Sequence, residues 1–393
     1  MNTKLIIYLV SFAAFLGPFT QNIYVPILPE IQKDFHTTSF LINMSLSAFT
    51  VTLAVMQMVY GPLIDTKGRR RILLAGILIY IGASVGCAFS PSVSWFLLFR
   101  VLQAAGIAAG SIVATTVVSD LFEGKQRGRA MGVFQMLVAL GPVLGPVIGG
   151  WVGEHMGYWG VFMILAVTGT LTWLANARYL PETRPNDLDG VISFGVRRLF
   201  SVMLHPIGLS VTLFGFIQFY AFHNFLAFLP QILSTEYGLG PAEKGLVFLP
   251  LSLMIVVGSY TGGRLQEKME ARKILMITSS LHALSIVLFM LAVKFSLIYV
   301  IISLVLFGLF LGLSQPVQTV LLMDAFAKER ATAVGAYNFF RFMGMAAGPL
   351  FGSILYQMRN IFLPFGFAAV LFGGVLFFVQ RKLRMKAAKA THT

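Results

Sequence analysis

The sequence predicts an all-α integral membrane protein: twelve transmembrane helices in two six-helix pseudo-repeats. Three observations predict it. First, the 393 residues are 57% hydrophobic and only 11% charged, with a mean hydropathy of +0.82. A soluble domain carries about 25% charged residues, and a single core could not absorb this much apolar surface. Second, segments of roughly 20 apolar residues, the length that crosses a bilayer, recur along the whole chain. Third, the second half repeats patterns of the first at an offset of 202 to 203 residues.

The spans follow in order. Residues 5–28 come after Lys4; this run is longer than a signal-peptide core and lacks an evident cleavage site, so it reads as a retained first span. The second, 40–63, ends in the basic hairpin Lys67, Arg69, Arg70 and Arg71, and the third, 72–90, begins after it. The fourth, 94–118, ends before Lys125, Arg127 and Arg129. The fifth and sixth, 130–153 and 158–180, are separated by Glu154 and closed by Arg178 and Arg184. The second half gives 207–233, 245–263, 274–293, 296–323, 331–357 and 360–380. Its basic clusters are Arg264 to Lys273, Lys328 with Arg330, and Arg381 to Lys389. The expected organisation is a bundle over 1–180, a central loop over 181–206, a bundle over 207–381 and a basic tail over 382–393.

Charge sets the orientation. With twelve spans, both termini and the even-to-odd loops share one side, which holds 23 of the 29 Lys and Arg. The other side has Lys33, Lys244, Lys294 and Arg359, and two arginines, Arg100 and Arg341, fall inside spans. The positive-inside rule then places both termini in the cytoplasm and the chain in the plasma (inner) membrane. The net charge of +14 is therefore an orientation signal and not a reason to invoke nucleic acid. The lone Cys87 excludes an intramolecular disulfide.

The repeat is visible in detail. Gly132, Gln135, Gly141, Gly145, Pro146 and Gly149 match Gly335, Asn338, Gly344, Gly348, Pro349 and Gly352. Gly61, Asp65 and Arg70 match Gly263, Glu267 and Arg272. Parallel six-helix repeats are an architecture of secondary transporters, with the site at the midplane between halves.

On these motifs the chain resembles the major facilitator superfamily. "GPLIDTKGRRRILL", Gly61 to Leu74, resembles its loop 2–3 signature. "LLFRVLQAAGIAAGS", with Arg100, resembles the fourth-helix signature, and "LGPVLGPVIGG", Leu140 to Gly150, the fifth-helix antiporter signature. "QNIYVPILPEI" and "RYLPETRP" are similar to the twelve-span drug:proton antiporters, near the bicyclomycin and chloramphenicol resistance branch. The resemblance implies the major facilitator fold, alternating access, export by proton antiport, and a gate formed by loop 2–3 with the eleventh helix, here starting near Ala331.

The candidate residues follow. Gly61 and Gly68 permit a tight turn and close approach. Asp65 can pair with an arginine, and Arg69 and Arg70 complete the gate motif or serve as topological anchors. Arg100, with Gln103 on the same face, is costly inside a membrane and so marks function. Gly141, Gly145 and Gly149, four apart, admit another backbone, and Pro142 and Pro146 can kink the helix. This face is expected to be the seam on which the halves rock. Gln21, Asn22, Gln135, Tyr220, His223, Asn224, Gln315, Gln318, Asn338 and Arg341 are expected to line an aromatic, amide-bearing cavity. His223 and His282 suit helix–helix hydrogen bonding better than proton carriage.

No acid falls deep in a span, and Asn22 stands where the drug branch often has one. Glu30, just past the first span, is the proton-coupling candidate. The expected substrate is a small amphipathic molecule, neutral or anionic, moved by a chain with no enzyme activity, cofactor or metal. The other partners are protons and the lipid bilayer, and the expected state is a monomer. There is no G-x-x-x-x-G-K-[ST] nucleotide motif. Two alternatives remain open at this point. One is a dedicated metabolite or siderophore exporter, or a symporter; the other is a non-transporting membrane receptor or scaffold.

Overall fold

The computed structural model describes residues 3–122, 124–184, 202–266, 268–326, 330–358, 360 and 362–390. The central loop over 185–201 and the side chains of Asp65 and of the basic tail lie outside the described residues. The described chain is helical. Its α-helices are α1 Thr3–Ile23, α2 Leu28–Asp34, α3 Ser39–Lys67, α4 Arg69–Ala88, α5 Val93–Leu121, α6 Gly124–Tyr179, α7 Pro206–Tyr237, α8 Pro241–Leu265, α9 Ala271–Ala292, α10 Leu297–Ala325, α11 Arg330–Tyr356 and α12 Leu363–Ala390.

Ten stretches are long and apolar enough to cross a membrane among the described residues. One of them, Ala130–Tyr179, holds two of the expected spans. α11, which carries Asn338 and Arg341 in mid-helix, falls outside that set but coincides with the eleventh expected span.

Local chemistry explains the breaks. The first expected span, 5–28, is not one helix: α1 ends at Ile23, a 3-10 turn covers Val25–Ile27, and α2 follows. Pro26 and Pro29 remove backbone donors there, which ends the regular ladder. At Gly68, φ is +94°, a conformation suited to glycine, and this single residue separates α3 from α4. Gly157, with φ +69°, bends α6 between the fifth and sixth expected spans. Thr38 caps α3 by accepting from the Leu41 N–H at 3.4 Å.

The chain divides into two compact units, Met1–Ser193 with Gly238–Leu246, and Phe194–Tyr237 with Val247–Thr393. In the first unit α6 lies against α1 through its glycines. A Cβ added at Gly141 would meet Phe19 N and Pro18, and one at Gly145 would meet Asn22 and Ile23. One at Gly149 would land on the Ile23 carbonyl. The repeat-related glycines of α11 do the same against α7 in the second unit. Gly344 sits on the Phe216 carbonyl, Gly348 on that of Tyr220, and Gly352 on Asn224 and Phe228. The core of the second unit is aromatic. Phe225 meets Phe289, Phe307 and Phe365 at centroid distances of 4.7, 4.4 and 4.9 Å. His282 stands edge-on to Phe307 and Phe372 with no hydrogen bond among the described residues, so it packs as one more ring.

Candidate functional site

The basic hairpin between α3 and α4 is the centre of a polar cluster. Arg69 is buried. Its Nε donates to Asp120 Oδ2 at 3.1 Å and its Nη1 to the Ile64 carbonyl at 3.2 Å. Arg70 Nη2 donates to the Ala177 carbonyl at 2.6 Å. The backbone N–H groups of Arg69 and Arg70 donate to Glu182 at 2.8 and 3.2 Å, so this carboxylate satisfies orphan donors at the start of α4. Thr183 donates its hydroxyl to Asp120 at 3.1 Å. The stretch Pro181–Arg184 thereby joins the hairpin to the ends of α5 and α6. Glu182 and Asp120 were not among the expected site residues; the signal for Glu182 was its place in the "RYLPETRP" resemblance. Gly68 faces the Glu182 carboxylate, while Gly61 lies inside α3 with open space where a side chain would be.

Glu182→Gln tests the cap. It keeps the shape and removes the charge at an exposed helix start, which should cost about 1 kcal/mol. A lower melting temperature at unchanged helix content is the expected result, and an unchanged melting temperature would argue against the cap.

The Arg100 cluster lies in the membrane-length part of the first unit. Arg100 is fully buried. Its guanidinium carbon lies 4.2 Å from the centroids of both Tyr24 and Phe49, an aromatic sandwich that favours a cation. Nη1 donates to Gln103, whose Nε2 donates to Ser84 Oγ at 2.7 Å. Nε and Nη2 have no acceptor among the described residues. The helical spacing of Arg100 and Gln103 therefore has a physical meaning: one orients the other.

Gln21 donates to Thr50 at 2.9 Å. Asn22 donates to the Pro18 carbonyl at 2.7 Å, and its own Oδ1 is buried with no donor among the described residues. Asn224, at the repeat-related place on α7, donates to the Tyr220 carbonyl, and its Oδ1 likewise has no donor among the described residues. The glycine face expected to be the seam between halves is filled by α1 of its own unit, because the three glycines admit that backbone. The neighbouring Gly150 meets the Pro241 carbonyl at the start of α8, and the Pro146 carbonyl meets Gly245. Pro142 lies inside α6 with Pro146.

In the second unit the expected residues divide. Gln318 is buried and donates to Gln218 Oε1 at 2.6 Å; Ser314 donates to the same oxygen at 3.0 Å. Gln218 was not among the expected site residues, since counting in fours from Tyr220 follows a different helical face. His223 is buried with Nδ1 3.2 Å from the Phe219 carbonyl, and the buried Tyr220 hydroxyl has no partner among the described residues. Gln315 and Asn338 are half-buried and Gln135 is exposed. Arg341 is half-buried, 4.9 Å from the Phe219 ring and 5.7 Å from those of Tyr337 and Phe342. Among the described residues neither Arg100 nor Arg341 has a carboxylate partner.

Glu30 lies on α2. Its Oε1 accepts from Lys244 Nζ at 2.6 Å. Lys244 precedes the expected span 245–263, among the loop residues, yet its side chain is 0% exposed.

The Major Facilitator Superfamily family model matches residues 10–208 and 211–392. An uncharacterised MFS-type transporter of Bacillus subtilis, YdgK, is 26% identical over 389 residues, covering 96% of each chain. A chloramphenicol resistance protein of Pseudomonas aeruginosa is 26% identical, covering 66% of this chain and 62% of that protein. The crystal structure of a D-xylose–proton symporter superposes with a TM-score of 0.80 at 15% identity, over 98% of this chain and 97% of that one. That similarity concerns the fold alone.

Proposed function

The chain belongs to the major facilitator superfamily of membrane transporters, and we propose that it exports small amphipathic molecules, neutral or anionic, in exchange for protons. Both termini then face the cytoplasm, the membrane is the plasma (inner) membrane, and a monomer cycles by alternating access. One observation carries the substrate class. The two arginines inside spans rest on aromatic faces, and neither is neutralised by a carboxylate among the described residues. Arg341, the half-buried one of the two, offers its guanidinium to carboxylate or carbonyl groups and repels cations, while the fully buried Arg100 adds only the field of its charge. The chloramphenicol resistance relative supports the drug-export branch. Proton exchange is supported by the antiporter resemblance and by an outer carboxylate, Glu30, in a sequence with no acid deep in an expected span.

The test uses the purified chain in liposomes with an imposed pH gradient. One probe is chloramphenicol, and the other is an amphipathic carboxylate dye. Gradient-driven accumulation of either, abolished by a protonophore, supports the reading. Facilitated movement that ignores the gradient overturns proton exchange.

Arg341→Gln separates the substrate classes. Loss of a charge-assisted hydrogen bond is worth about 1.5–3 kcal/mol, or roughly ten- to a hundredfold in KM for the carboxylate probe. KM for a neutral probe should stay near wild type. Equal effects on both probes would make Arg341 a packing residue.

A further inference from the structure

Lys244 carries a charge that the spans do not explain. It is fully buried on the first turn of α8, while the Glu30 side chain is 35% exposed. The two residues are 214 positions apart and bonded at 2.6 Å. A buried ammonium is tolerated only beside an anion, and removing one partner of such a pair leaves an uncompensated charge. Lys244 therefore stays seated while Glu30 is ionised.

The seat itself is built by backbone contacts. The segment Gly238–Leu246 belongs to the first unit, although α8 continues into the second from Val247. Glu154 Oε2 accepts from the Ala242 N–H at 2.9 Å, and Glu243 accepts from the Gly240 N–H at 2.9 Å. Gly150 and the Pro146 carbonyl take the backbone at Pro241 and Gly245 without side-chain bulk. The charged groups around the pair are Lys33 on α2, close enough to repel the ammonium, Glu154 on α6 and Glu243 on α8. Lys33 repels Lys244, Glu154 and Glu243 are bonded to backbone, and the Glu30 carboxylate meets the ammonium directly.

We propose that Lys244 is the counter-charge of the coupling site: a proton and Lys244 compete for the Glu30 carboxylate. A proton arriving from outside converts the carboxylate to a carboxylic acid, the ammonium keeps its own proton, and the ion pair is lost. The first turn of α8 then leaves its seat, and it can return only after Glu30 releases the proton. One proton is thus exchanged each time α8 is undocked and docked. This inference rests on the proton-exchange reading above.

The experiment reads hydrogen–deuterium exchange in the amides of residues 240–248 of the full chain. Rates are corrected for intrinsic exchange and compared at pH 4 and pH 8, the lower value lying near the ordinary glutamate pKa of about 4.3. Wild type should lose about threefold in protection on acidification, the scale set by protonating one carboxylate that the docked state holds ionised. Glu30→Gln, a standing mimic of the protonated acid, should show the low protection at both pH values. Lys244→Gln should show no pH response, whatever its absolute protection. A Glu30→Gln variant that keeps the wild-type protection and pH response overturns the proposal, as does a Lys244→Gln variant that still responds to pH. Exchange needs no substrate, so the two readings fail separately. If wild type accumulates a probe down the pH gradient while these amides ignore pH, the coupling site lies elsewhere. If the amides respond as stated but no gradient-driven transport exists, the proton-exchange reading fails and the competition for Glu30 stands.

Discussion

Gly149→Ala is expected to yield protein that neither packs nor transports, while Gly61→Ala and Gly132→Ala remain active. All three positions lie inside helices. Alanine in place of a helical glycine gains up to about 1 kcal/mol in helix propensity. At Gly61 and Gly132 nothing among the described residues lies within 4 Å of the added carbon, so the gain is realised. At Gly149 that carbon falls on the Ile23 carbonyl. The obstacle is backbone on α1, which cannot rotate aside as a flexible side chain could. Overpacking of a tight core costs about 1–3 kcal/mol, and a backbone clash belongs at or above the upper end of that range. The cost therefore exceeds the propensity gain, and α6 must separate from α1. Monodisperse yield and transport per folded molecule are the measurements. If Gly149→Ala matches Gly132→Ala in both, the close approach of α1 and α6 is not required.

The same contrast shows what a sequence reveals. The spacing of Gly141, Gly145 and Gly149 announces a close approach, because four-residue spacing is a local property of a helix. It does not name the backbone that approaches; that backbone is α1. Span lengths, the bend near Gly157 and the two-fold repeat are legible for the same reason, since each is written in contiguous residues or in a fixed offset. The break after Ile23 was blurred by apolar residues that continue through two prolines.

Partners were far less legible than positions. Lys244 was counted as a loop lysine because the charge census ignores burial, and its partner lies 214 residues away. Glu182 looked like one charge in a polar loop, yet it accepts from two backbone groups of a helix more than 110 positions earlier. Arg100 and Gln103 share a helical face because they are three apart, and there the one donates to the other. Gln218 was passed over because its partners Ser314 and Gln318 lie on α10, and only folding brings them together.

Arg69 decides whether the basic hairpin is a topological anchor or a structural joint. As an anchor it needs only a positive charge, and lysine would serve as well. As a joint it needs its fork of donors, since Nε and Nη1 reach Asp120 and the Ile64 carbonyl in different directions. Lysine offers one ammonium at the end of a flexible stem and cannot make both bonds in the same geometry. Arg69→Lys should therefore insert normally and keep its topology, yet lose most of what Arg69→Leu loses. For Arg69→Leu the loss is about 1–3 kcal/mol, because two bonds from a buried guanidinium are lost while Asp120 keeps the Thr183 hydroxyl and the Ile64 carbonyl keeps the Gly68 N–H. Asp120→Leu in that background should restore part of the loss, with a coupling energy of about 0.5–3 kcal/mol across the double-mutant cycle. Transport should fall in step, because Asp120, Thr183 and Glu182 join the ends of α3, α5 and α6 to the start of α4 through this arginine. Reversible unfolding of the four variants in the cycle and transport at matched folded amounts provide the readout. Wild-type stability and transport in Arg69→Lys would leave the hairpin as an anchor and nothing more.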